Sequence, residues 1–126
     1  MTTEIDREEA IRLIEEAVKI KGERHIQREC VYIEDLADEK AKPGCIVGTA
    51  LVVKFDLDTI SGFMDEGRNT DTFVTLIPAL ESELDMSFTD GALDVFDRAQ
   101  AAQDGRFGEY AYNLSWGEAL EHAREC

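Results

Sequence analysis

The apolar residues Ala10, Leu13, Ile14, Ala17 and Val18 return at intervals of three and four, while Glu8, Glu15, Glu16 and Lys19 occupy the other side. That interval is the repeat of an α-helix with one buried face. Just ahead, Asp6-Arg7-Glu8-Glu9 has capping-box spacing, with Asp6 placed to accept from first-turn amides, and Gly22 suits the far end. An amphipathic helix is predicted over about residues 7–21.

The next patterned stretch, Cys30-Val31-Tyr32-Ile33, is β-branched and aromatic and predicts a short β element around residues 30–33. Glu34 to Gly44 is charged, closes with Pro43-Gly44 and reads as a loop. From Cys45 to Phe55 the run is nearly all apolar. Its β-branched content suits a strand, in a hairpin joining the Val31 and Val53 regions. Its continuity equally suits a buried helix, and periodicity does not separate the two.

Asp58 or Thr59 is expected to cap a short helix carrying Ile60, Phe63 and Met64, closed by Gly67. Thr72 to Leu84 is helix-like at its end, and Pro78 is expected to start that helix or kink it. Ser87-Phe88-Thr89-Asp90 has capping spacing ahead of Ala92, Leu93, Phe96, Ala99 and Ala102, a helix ending at Gly105. Ser115-Trp116-Gly117-Glu118 repeats the capping box before Ala119, Leu120 and Ala123. Trp116 and Leu120 should dock this last helix on the core, with Phe96 as a neighbour. With no repeat or linker dividing it, the chain reads as a mainly α single domain over residues 1–126, with a helical region at about 45–124.

Composition adds a charge argument. With 44% hydrophobic residues and only two prolines the balance is globular. The 28 acidic against 13 basic residues leave a net charge of −15, which repels nucleic-acid phosphates and anionic membrane surfaces. Direct nucleic-acid binding and membrane association are therefore not expected. A basic protein partner or mimicry of nucleic acid fits the charge, and so does plain solubility. Crowded carboxylates should also repel one another and raise some of their pKa values in the folded state.

Met1 to Asp6 lacks basic residues and no apolar stretch follows it, so a secretory leader is not expected, and the run Thr49-Ala50-Leu51-Val52-Val53 is far short of the roughly 20 residues that span a bilayer. Three cysteines, Cys30, Cys45 and Cys126, suit reduced thiols in a cytoplasm.

Three fragments stand out in order: Pro43-Gly44-Cys45-Ile46-Val47-Gly48, Ala99-Gln100-Ala101-Ala102-Gln103-Asp104, and Ser115-Trp116-Gly117-Glu118-Ala119-Leu120. Together they resemble a group of small uncharacterised proteins of actinobacteria and their bacteriophages, with the pattern P-x-C-I-V-G-x-x-L, then A-Q-x-x-Q-D, then W-x-x-A-L. The resemblance covers roughly residues 43–123 and leaves the N-terminal helix outside. It implies a helix after Pro43-Gly44, a phage or mobile-element origin and a bacterial host cytoplasm, and it transfers no catalytic residue. Against this pattern, Arg106 to Leu114 is an expansion between the last two motifs.

Few chemical constellations survive inspection. An EF-hand loop from Asp56 would need glycine sixth and glutamate twelfth, where Ser61 and Gly67 stand; Asp58 as a helix cap is the better account. Cys30, Cys45, Cys126, His25 and His122 lack the paired spacing of zinc ligands. Cys45 with His25 or His122 would make a thiolate pair, although Gly-Cys-Ile-Val-Gly more naturally buries the thiol. Carboxylate neighbours such as Asp65-Glu66 are too common here to single out an acid–base pair. No metal, cofactor or catalytic residue is assigned. Phe107, Tyr110 and Tyr112 are the candidate partner-binding residues, either core-completing or interface anchors. The expected function is a phage-type accessory protein binding a host protein or itself, a homodimer included. A nucleic-acid mimic, or a small enzyme using Cys45 or clustered carboxylates, is the alternative.

Overall fold

A computed structural model describes residues 3–26, 31–35, 41–104 and 114–125. Helix α1 (Arg7–Lys21) runs where the periodicity puts it and buries Ala10, Leu13, Ile14, Ala17 and Val18. The Asp6 side chain accepts from the Glu9 amide at 2.9 Å. The Glu9 carboxylate turns instead to Arg12 at 2.7 Å and to Lys54 at 3.0 Å.

Cys45–Phe55 resolves as a helix, α2 (Ile46–Phe55), so the hairpin reading falls. Its first six residues are buried, because α1 packs on one flank and α6 (Asp90–Gln103) on another. A helix enclosed this way has no polar face to show as a period. The predicted β element lies slightly later than expected: β2 (Ile33–Glu34) pairs antiparallel with β3 (Lys42–Pro43), so the stretch read as a loop carries Glu34 and all of β3.

Asp56, rather than Asp58 or Thr59, caps α3 (Leu57–Phe63), accepting from the Thr59 amide at 2.7 Å. Asp56 also donates its own N–H to the Val52 carbonyl, so one residue at φ 87° ends α2 and begins α3. Ile60, Phe63 and Met64 are buried as expected. Gly67 does not close that helix; it lies inside the short α4 (Glu66–Asn69). Helix α5 (Phe73–Glu83) starts at its Thr72 cap and holds Pro78 in its interior, not at its start.

The expected helical region at 45–124 is broken by β4 (Met86–Phe88), which pairs in parallel with β1 (Thr3–Ile5) in the register Thr3↔Met86 to Ile5↔Phe88. Ser87 therefore sits in a strand, and Thr89 caps α6 through the Ala92 amide at 3.2 Å. Helix α7 (Trp116–Arg124) opens on the complete Ser115–Glu118 capping box. It packs on α6 and α1. The described residues form a mainly helical small domain around one apolar core. Within it Phe73, Phe88 and Phe96 meet edge to face at 5.5–5.7 Å. Trp116 is fully buried, as expected, but its ring partner is His25, edge-on at 4.9 Å, rather than Phe96.

Candidate functional site

The first two sequence fragments meet at the amino end of α2. Cys45 is its cap, the Sγ accepting from the Gly48 amide at 3.4 Å. Gln103, fully buried at the end of α6, accepts from the Ile46 amide at 2.7 Å and donates to Asp104 at 2.8 Å. Gln100 donates to the same carboxylate at 3.2 Å. Of the amides that a helix start leaves unpaired, that of Gly48 is thus answered by the cap itself and that of Ile46 from another helix.

The glycines of the first fragment have a steric cause. A Cβ on Gly48 would overlap the Tyr32 carbonyl oxygen and stand 2.7 Å from its Cα, and one on Gly44 would overlap the Val31 carbonyl oxygen. The chain at Val31-Tyr32 lies directly on the start of α2, and its position is set from the other side by Asn69. That buried amide donates to the Ile33 carbonyl at 2.9 Å and accepts the Ile33 N–H at 2.8 Å, doing for Ile33 what a neighbouring strand would do. The motif residues are thus explained by packing and capping.

Beside this junction opens a cleft of about 270 Å³ between Tyr32, the Asp71–Val74 entry to α5 and the outer side of α6 at Asp97 and Asp104. Tyr32 is buried but for its edge, and its hydroxyl donates to the Asp71 carbonyl at 2.9 Å. Phe73 forms a wall, and Val74 stands at the lip 68% exposed. Asp71 accepts from the Thr72 amide at 2.9 Å. No cation among the described residues pairs with the side chains of Asp71 or Asp97. Chemically the cleft offers apolar walls and carboxylate acceptors.

The candidate residues Phe107, Tyr110 and Tyr112 lie outside the described residues, as do Cys30 and Cys126. Cys45 is 1% exposed. Among the described residues no three Cys, His, Asp or Glu side chains group as a metal site, and no helix is long and apolar enough to cross a membrane. Of the cleft residues, Gln100 and Asp104 belong to the A-Q-x-x-Q-D fragment and the others carried no motif. One signal was available: Phe73, Leu76 and Leu80 make the buried stripe of α5, and Val74 is an apolar residue off that stripe.

Among the described residues, the carboxyls that depart clearly from their ordinary range are lowered, each by a local donor. Arg12 hydrogen bonds, reinforced by Lys54 and opposed by partial burial, hold Glu9 down to about 2. Thr59 lowers Asp56 by hydrogen bonding, and Arg68 does the same to Glu83 through contacts of 2.6 and 3.0 Å. These shifts run opposite to the rise expected from crowding. No family model matches the chain, and neither a curated protein nor a solved structure shows similarity to it.

Proposed function

We propose that this chain acts by binding another protein, as a small accessory component of phage or mobile-element origin working in the cytoplasm of an actinobacterial host. The observation that carries the reading is the cleft beside α5: apolar walls, an exposed valine at the lip, and two carboxylates with no cation partner among the described residues. Interfaces combine a buried apolar anchor with a polar rim, and one exposed apolar side chain is ordinary until it borders such a concavity. The net charge of −15 favours a basic protein surface and disfavours phosphate. A thiol enzyme is less well supported, since the Cys45 sulfur is buried and engaged as a helix cap.

The test is capture by the tagged chain from an actinobacterial lysate, then reconstitution from purified components. A complex of fixed stoichiometry in sedimentation supports the reading, and a dimer of the chain itself would identify the partner as self. Recovery of nothing beyond what an unrelated domain of equal charge recovers, with a monomer in sedimentation, overturns it.

A further inference from the structure

We infer that the cleft between Tyr32, the Asp71–Val74 turn and Asp97 receives one arginine side chain from the partner. The inference rests on the protein-binding reading and specifies its chemistry. At about 270 Å³ the cleft falls just below the ~300–1,000 Å³ of small-molecule pockets, which suits a single long side chain better than a cofactor-sized ligand. Its walls at Tyr32, Phe73 and Val74 suit an aliphatic stem, and the carboxylates of Asp71 and Asp97 at its edge suit a cation. No described cation of the chain competes for them.

Between the two basic side chains the walls decide. A guanidinium is planar, weakly hydrated and stacks on aromatic rings, whereas an ammonium loses more hydration on entering an apolar recess. Arg68 already shows this preference within the fold: its guanidinium lies 4.5 Å over the Phe63 ring while it forks onto Glu83.

The experiment is titration of the isotope-labelled full chain with the capped tripeptides acetyl-Ala-Arg-Ala-amide and acetyl-Ala-Lys-Ala-amide, read by amide chemical shifts. The arginine peptide should give saturable shifts grouped on residues 72–74 and 97–104. Asp97→Asn should weaken it about threefold or more, as loss of one exposed charge contact does. Asp58→Asn, the same charge change at an exposed site on α3, should leave it within about 1.5-fold. Shifts scattered over the acidic surface, equal weakening by the two variants, or equal binding of the lysine peptide would overturn the assignment. The two readings fail separately. A reconstituted complex indifferent to Asp97→Asn leaves protein binding intact and removes the cleft from it. Arginine binding without any protein partner does the reverse.

Discussion

Two residues show how packing context sets the sign of a substitution. In an exposed helix, glycine to alanine gains about 1 kcal/mol. At Gly48 the added methyl meets backbone that Asn69 holds in place, so neither side can yield cheaply. Gly48→Ala should cost about 2 kcal/mol or more in urea unfolding, with Gly62→Ala, where a Cβ meets open space, as the control that does not lose stability. Trp116 is the second case. Its ring is fully enclosed, and its indole N–H has no hydrogen-bond partner among the described residues. Trp116→Ala should cost roughly 3–5 kcal/mol and weaken the far-ultraviolet helix signal. Trp116→Phe keeps an aromatic filler and removes the unanswered donor, so it should cost less than half as much. Wild-type emission should be blue-shifted and resist acrylamide.

At the scale of elements, α5 carries an internal fault. Pro78 has no N–H to offer the Val74 carbonyl four residues back. Pro78→Ala restores that donor and should raise stability by about 1–2 kcal/mol, after allowance for the freer unfolded chain. A matched pair of urea curves checks it, and an unchanged midpoint would mean the helix has already accommodated the ring. The elements most legible in the sequence were those with a solvent face. α1 declared itself by its stripe and α7 by its capping box. α2, buried around its first turns, read equally as strand, and the resemblance rather than periodicity favoured helix. β1 and β4 were illegible because three residues carry no period, and their pairing joins positions more than 80 apart. Ser87-x-x-Asp90 imitated a cap for the same reason: spacing alone does not say which of two candidate oxygens, Ser87 or Thr89, starts the helix.

For the molecule as a whole, two electrostatic effects act, one screened by salt and one removed by acid. The net charge of −15 makes the folded chain repel itself at neutral pH, so added salt should raise the thermal midpoint at pH 7. Glu9 carries the acid-sensitive part. Its carboxyl is held down to about 2 in the fold against 4.5 ordinarily. Its contribution is full above about pH 4.5 and is lost as pH falls towards 2. Asp56 and Glu83, lowered by their own donors, add the same sign. The midpoint should therefore fall as pH drops below about 4.5, and Glu9→Gln should soften that acid limb; a midpoint at pH 7 that falls on adding salt would refute the repulsion argument. The candidate cleft was not readable in advance, since Tyr32, Asp71, Val74 and Asp97 come together only through the packing of α5 and α6, and none of the four lies in a linear motif.

The parallel pairing of β1 with β4, and the seating of α1 on α6 and α7, also set a schedule. A ribosome adds about 5–20 residues per second, so α1 emerges from roughly 5 to 25 s before the helix that finishes covering it. Over that interval Leu13, Ile14 and Val18 wait with their cover incomplete, in a stretch that chaperones and proteases can reach. A nascent chain stalled after Gln103 should be cleaved within α1 by a protease that spares the released full-length chain.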